Sequence, residues 1–383
     1  MPQSADIIVI GAGIAGASAA AEVSRDGAKV ILLEREDQPG YHSTGRSAAL
    51  YIETYGPEQI RRLTRAGRQW FLSPPEGLAE HPLMTPSGVI LLGYEGEEDL
   101  VKGAVAEAEL TGSKVEVLKP LDCVKRAPIL KPDRMLGGVF DDSALAMDAA
   151  AIHQARLKQL RRQGGTLVCK AEVTGLTRSG GTWTVATKGG ESYLAPVVVN
   201  AAGAWADVVA GLAGVAQIGL TPKRRTGIIV PLPAGMSPIG WPCVGDLKAT
   251  WYFKAEGGKL MVSPADETPV EPQDIQPDEM DVAIGIDRFM QATTVEVRRP
   301  ERTWAGLRSF VADKELVVGY APDAEGFFWL AAQGGYGIQS SAGAAVLAAT
   351  LIQKKPLPKA LTDFGVRAEA MSPGRAGLHG AAH

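Results

Sequence analysis

Six residues near the start of the chain, Gly11-Ala12-Gly13-Ile14-Ala15-Gly16, form a G-x-G-x-x-G motif. A short β-branched run, Asp6 to Ile10, precedes it, and an alanine-rich segment suited to a helix, Ala17 to Arg25, follows. In that context the motif points to a dinucleotide. The first glycine permits a tight turn, the second lets backbone approach a pyrophosphate, and the third lets helix pack on strand, while the helix N-terminus receives phosphate charge. Glu34 closes the next strand, Lys29 to Leu33, where a carboxylate can accept hydrogen bonds from both ribose hydroxyls. A 2′-phosphate is disfavoured beside it, which argues against NADP. NAD and FAD both remain compatible with the motif.

Two later segments could meet the same ligand. Val197 to Asn200 reads as a buried strand running into the small-residue turn Ala201-Ala202-Gly203-Ala204-Trp205. Ala332-Gln333-Gly334-Gly335-Tyr336-Gly337-Ile338 is a glycine loop opening a helix. Its unpaired N–H groups and positive dipole end suit an anion, which in a flavoenzyme is the reduced flavin; glycine required only for tight packing is the alternative. The other chemistry-bearing residue types are scattered. Cys123, Cys169 and Cys243 lie far apart without C-x-x-C spacing, so they read as buried thiols in a reducing compartment, with no disulfide framework and no metal site. None of the five histidines, His42, His81, His153, His379 and His383, sits in a motif that demands a general base.

The elements that must position these residues are legible in outline. Asp6–Ile10, the fingerprint helix and Lys29–Leu33 make a βαβ unit. A helix is expected over Glu58–Phe71, ended by Pro74 and Pro75, after which a second lobe begins. A helix with a basic exposed face is expected over Ile152–Arg162, and strands over Thr166–Val173, Thr182–Thr187 and Pro196–Asn200. Between about Thr221 and Arg302, Gly227–Val230, Thr250–Lys254 and Lys259–Val262 suggest an antiparallel sheet. Leu316–Tyr320 and Phe327–Ala331 read as strands, a long apolar helix follows to about Gln353, and the tail after Phe364 reads as frayed.

At 383 residues the chain exceeds the usual size of a single core, so two lobes or interleaved domains are expected. Its net charge of -4 supplies no field for a polyanion, which argues against nucleic acid. The N-terminus lacks a basic region, and Ala342–Ile352 is short of the roughly 20 apolar residues that span a bilayer. A cytoplasmic protein without a transmembrane segment is the expectation.

The motifs together resemble the D-amino acid oxidase superfamily of flavoproteins and, within it, the bacterial D-arginine dehydrogenases. The similarity spans essentially the whole chain. It rests on Gly11 to Gly16, Glu34-Arg35, Gly40 to Ala49, Asn200 to Trp205, Pro222 to Arg225, Trp304 to Phe310 and Gln333 to Gln339. The resemblance implies a mixed α/β and α+β fold. A Rossmann-like FAD-binding domain over 1–50, 150–220 and 305–383 interleaves with a substrate domain over 51–149 and 221–304, built on a mostly antiparallel sheet. It implies non-covalent FAD, since Ala331 and Ala332 stand where some relatives carry a tethering cysteine. The implied FAD contacts are Gly11, Gly13, Ala15, Gly16, Glu34, Arg35, Ser43, Thr44, Arg46, Ser47, Ala48, Ala49, Val173, Trp205, Gly335, Tyr336, Gly337, Ile338 and Gln339.

By the same resemblance Arg225 and Arg308 clamp a substrate carboxylate, with Tyr55 and Tyr252 bordering the site and Gly335 in the pocket. Arg224 competes with Arg225 for that position. A planar guanidinium suits this role because it binds carboxylate through two parallel charge-assisted bonds. Leu50 and Val89 stand where the arginine enzyme has a histidine and a glutamate, so a neutral or apolar side chain is expected rather than a basic one. The implied activity is oxidation of a D-amino acid to an imino acid that hydrolyses to a 2-keto acid and ammonia. An N-alkyl amino acid or a 2-hydroxy acid is the alternative substrate, and oxygen, a quinone or another carrier takes the electrons.

Overall fold

The computed structural model describes residues 2–110 and 113–378; His379 and His383 lie outside the described residues. A six-stranded sheet has the order Thr166–Val168, Val30–Leu33, Ile7–Ile10, Val197–Asn200, Phe327–Ala331, Val317–Tyr320. Its strands pair in parallel except the last, Val317–Tyr320, which is antiparallel. Ile7–Ile10 and Val30–Leu33 are buried along their whole length, as expected of a parallel sheet covered on both faces. Alternation divides them: Ile7, Val9, Val30 and Leu32 enter one core, Ile8, Ile10, Ile31 and Leu33 the other. The fingerprint helix, Ile14–Val23, lies against the helix Gly337–Ile352. Alanines at 17, 20, 21, 344 and 348 share one core and let these helices approach closely.

An eight-stranded sheet has the order Arg302–Phe310, Thr221–Val230, Lys259–Ser263, Tyr252–Glu256, Cys243–Asp246, Val89–Tyr94, Met135–Asp141, Glu116–Leu118. It is antiparallel apart from one parallel pairing, Cys243–Asp246 with Val89–Tyr94. Strands of the six-stranded sheet thus come from before, between and after the segments that build the eight-stranded one, the mixed α/β architecture expected. Among the described residues no helix is long and apolar enough to cross a membrane.

Four expectations change. The single strand over Thr166–Val173 is two, Thr166–Val168 and Val173–Ser179, in different sheets; the chain turns between them with Lys170 at φ +57°. The helix expected from Ile152 starts at Ala149, because Asp148 caps it by accepting from the Ala151 N–H at 2.8 Å. Its face is not uniformly exposed and basic: Arg156 is 1% exposed, 3.4 Å from Glu22 and 3.5 Å over the Trp70 ring. The tail beyond Phe364 is packed as far as it is described. Met371 is fully buried, and Arg375 donates to both Asp313 carboxylate oxygens at 2.8 and 2.9 Å.

Candidate active site

The C-terminal ends of Ile7–Ile10, Val30–Leu33 and Val197–Asn200 open into a cavity of about 1010 Å³ whose far wall belongs to the eight-stranded sheet. Strand ends at such a crevice are where α/β sheets bind ligands. Every site residue nominated from the sequence lines this cavity except Gly16 and Arg224, the competitor of Arg225. The three fingerprint glycines differ for a steric reason. A Cβ at Gly16 would lie 1.9 Å from the Gly11 carbonyl oxygen, and one at Gly11, where φ is +100°, would lie 2.5 Å from that of Ala201. At Gly13 the nearest atom would be Thr44 Oγ1 at 3.3 Å. The first and third glycines therefore hold protein against protein, and the second leaves room on the cavity side.

At one end of the cavity Glu34 accepts from the Ala12 N–H at 2.9 Å and the Glu36 N–H at 3.0 Å. Thr44 Oγ1 accepts from the Ile14 N–H at 3.0 Å, so one N–H of the fingerprint helix is already satisfied by this loop. His153 Nε2 donates to the Ala12 carbonyl at 2.8 Å; burial pushes its pKa down, which keeps the ring neutral. Arg35 stacks over Trp205 at 4.9 Å. His42 sits at this end as well, its ring centroid 4.6 Å from that of Trp205 and its Nε2 2.9 Å from Glu36 Oε1.

The Ser43–Ala49 loop is tied to the eight-stranded sheet at four points. Ser43 Oγ donates to the Leu307 carbonyl at 2.7 Å, and Arg46 Nη1 donates to that of Ala305 at 3.0 Å. In return Trp304 Nε1 donates to the Arg46 carbonyl at 3.2 Å and Lys254 Nζ to the Ala48 carbonyl at 2.7 Å.

At the other end, strand register decides which cations face the cavity. Thr221–Val230 pairs antiparallel with Arg302–Phe310, Lys223 opposite Arg308 and Arg225 opposite Gly306. Residues two apart share a face, so Lys223, Arg225 and Arg308 project together and Arg224 projects away. Arg225 and Arg308 line the cavity, whereas Arg224 Nη2 donates to Asp281 on the helix Glu279–Ala292 at 2.7 Å. The Arg308 side chain is 12% exposed and passes against Gly335, where a Cβ would lie 1.6 Å from its Nη2. Its Nη2 donates to the Tyr55 hydroxyl, and its Nη1 to Glu267 Oε1 at 3.3 Å.

Tyr55 is held in turn. Gln339 Nε2 donates to the Tyr55 carbonyl at 3.2 Å, and Gln339 Oε1 accepts from the Ile52 N–H at 3.2 Å. The Tyr55 ring meets Tyr336 edge-on at 5.0 Å. Burial pushes the Tyr336 hydroxyl up to about 12, so it stays neutral. Beside this end Leu50, Ile52, Val89, Leu91, Cys243 and Tyr252 form an apolar wall. Asp141 also borders it, with Oδ1 accepting from the Ser143 N–H at 2.9 Å and Oγ at 2.5 Å.

Glu267, Asp141, Lys254 and the Ala12 contact of His153 were not nominated from the sequence. None sits in a motif, and each reaches the site only through long-range pairing. The donor set fits a flavin dinucleotide. The helix Gly337–Ile352 opens into the cavity with no side-chain cap, Glu34 suits a ribose, and Gly13 leaves a surface that a Cβ would fill.

Comparison with known proteins agrees with this assignment. Human mitochondrial sarcosine dehydrogenase is 23% identical over 353 residues, covering 86% of this chain and 37% of that protein, so the chain spans little more than a third of that relative. Among solved structures, L-proline dehydrogenase from P. horikoshii superposes with a TM-score of 0.83 at 21% identity, covering 97% of this chain and 98% of the other. Glycine oxidase from Geobacillus kaustophilus gives 0.82 at 20% identity, covering 95% and 99%. The profile of the DAO family, FAD dependent oxidoreductase, matches residues 6–351. The chain is therefore a member of the DAO family of FAD-dependent oxidoreductases.

Proposed function

We propose that the chain oxidises a small amino acid with a free carboxylate at the carbon bearing the nitrogen. Two electrons and one proton leave as hydride, the product is the imino acid, and water hydrolyses it to a 2-keto acid and ammonia. The observation that carries this reading is Arg308, a nearly buried cation against Gly335 in the glycine loop that opens the helix Gly337–Ile352. Bound FAD supplies the hydride acceptor; the remaining work is done by the chain. Arg308 offers two N–H groups to the carboxylate, Tyr55 orients it, and the rings of Tyr55 and Tyr336 exclude water. Such placement aims the reacting C–H, a large part of the barrier in a two-partner step. Non-covalent attachment is part of this reading, since Ala331 and Ala332 stand where some relatives carry a tethering cysteine.

Leu50 and Val89 lie in the apolar wall, which favours a neutral side chain, and the carboxylate there, Asp141, is already engaged by Ser143. The D configuration is carried over from the sequence resemblance to D-arginine dehydrogenases. A second reading, oxidation of an N-alkyl or cyclic amino acid, is favoured by the sarcosine and proline enzymes among the similar proteins. An anaerobic screen of both enantiomers and of N-methyl and cyclic amino acids, followed by loss of the flavin absorbance band, distinguishes them. Neutral D-amino acids are expected to have the highest kcat/KM. Preference for D-arginine or D-lysine overturns the side-chain assignment, and bleaching by no amine overturns the function.

A further inference from the structure

We propose that Glu267 is a specificity-determining residue that reserves Arg225 and so limits the anion subsite to one carboxylate. The inference rests on the reading of Arg308 as the carboxylate anchor. Glu267 Oε1 accepts from Arg225 Nη2 at 3.0 Å and from Arg308 Nη1 at 3.3 Å, and Oε2 lies 3.3 Å from Lys223 Nζ. Two guanidinium groups from neighbouring strands converge on one carboxylate oxygen supplied by the chain itself. Burial opposes the charge, but Arg308, Arg225 and Lys223 hold the carboxyl below its usual range, so it is an anion at neutral pH.

The loop that carries Glu267 is anchored. Asp266 Oδ1 accepts from the Thr226 N–H at 2.6 Å, and Oδ2 accepts from the Thr226 hydroxyl at 3.0 Å. Arg225 is tied a second time through Nε to the Asp266 carbonyl at 2.9 Å. Arg308 is held less firmly, since its Nη2 is given only to a neutral hydroxyl, that of Tyr55. An incoming carboxylate replaces that hydroxyl more easily than it replaces an anchored anion, so it takes Arg308 and leaves Arg225 with Glu267. Of the three cations on Glu267, Arg225 is tied twice to that anchored loop, whereas Arg308 Nη2 is held only by a hydroxyl, so one anion has an exchangeable contact to take. A second carboxylate on the same ligand meets Glu267 as a like charge and finds Arg225 taken.

The test titrates the FAD-loaded protein with propionate and succinate, neither of which carries a nitrogen to be oxidised, and follows the shift in the flavin absorbance band. Wild type is expected to bind propionate more tightly than succinate. Glu267→Gln should tighten succinate by about tenfold or more, the worth of one charge-assisted contact, and by clearly more than it tightens propionate, which gains only from the freed Arg308 Nη1. Glu267→Ala should do the same, and equal tightening of the two acids overturns the inference. Adding Arg225→Met to Glu267→Gln should abolish the gain. The inference is overturned if both acids weaken together, which marks Glu267 as a mere support for Arg308, if neither changes, or if the gain survives without Arg225. A wild type that binds neither acid, with Arg308→Met indistinguishable from it, is a separate result that removes the carboxylate anchor itself.

Discussion

Gly335→Ala adds one methyl group and isolates the geometry of the anion site. The new Cβ would lie 1.6 Å from Arg308 Nη2 and 2.3 Å from both Cζ and Nε. Non-bonded heavy atoms rest about 3.5–4.0 Å apart, so the guanidinium must retreat by roughly 2 Å. It can do so, because it is the free end of a long side chain, and Gly335 does not occupy the left-handed region that would strain an alanine. The fold and FAD content should therefore survive. What is lost is the Tyr55 contact and, on the proposed function, the aim of two N–H groups at the substrate carboxylate. A hydrogen bond to a charged group is worth about 1.5–3 kcal/mol, so kcat/KM should fall about ten- to a hundredfold. If misaim of the reacting carbon dominates, kcat falls with it. The decisive assay is a double-mutant cycle with Arg308→Met. If Gly335→Ala acts only through Arg308, it should be nearly silent in that background. Equal losses in both backgrounds, or an unchanged kcat/KM in the single variant, would refute the reasoning.

Three further outcomes are expected. Gly16→Ala sets a Cβ 1.9 Å from a backbone oxygen that cannot yield, so it should lower the Tm of the apoprotein, by the roughly 1–3 kcal/mol typical of overpacking, and abolish FAD binding. Gly13→Ala, whose Cβ meets only Thr44 Oγ1, should leave the apoprotein Tm near wild type while FAD content drops; a Gly13→Ala protein that is as yellow as wild type contradicts the placement of the dinucleotide over Gly13. His153 takes a lowered pKa from burial, so on acidification the unfolded chain binds its proton first, and stability falls as pH drops below about 6.5, with no effect above it. His153→Gln keeps a donor for Ala12 and does not titrate, so its Tm should decline less between pH 7 and 5. Identical declines would show that His153 does not contribute.

The fingerprint end of the cavity was legible in the sequence alone because its rules are local. Gly11 to Gly16 act within one turn of chain, and Glu34 follows across a single βαβ unit whose handedness leaves it no other place. The two strands of that unit were equally legible from their apolar runs, and the structure adds that Ile7–Ile10 and Val30–Leu33 are buried along their whole length. The anion end was not. Arg224 and Arg225 are the same residue type in adjacent positions, and only the pairing of Lys223 with Arg308 sends Arg225 into the cavity and Arg224 toward Asp281. A slip of one residue reverses that assignment, and register comes from the whole eight-stranded sheet rather than from the tetrapeptide. Thr166–Val173 gave no sign that it serves two sheets, since both halves have strand composition and the turn at Lys170 is imposed by what each half pairs with. Glu267 belongs to no motif, and its place between two arginines 42 and 41 residues away exists only once those strands are side by side. Tertiary structure decided these points because electrostatic partnership depends on distance in space, and distance along the chain constrains it only within a helix turn or a hairpin.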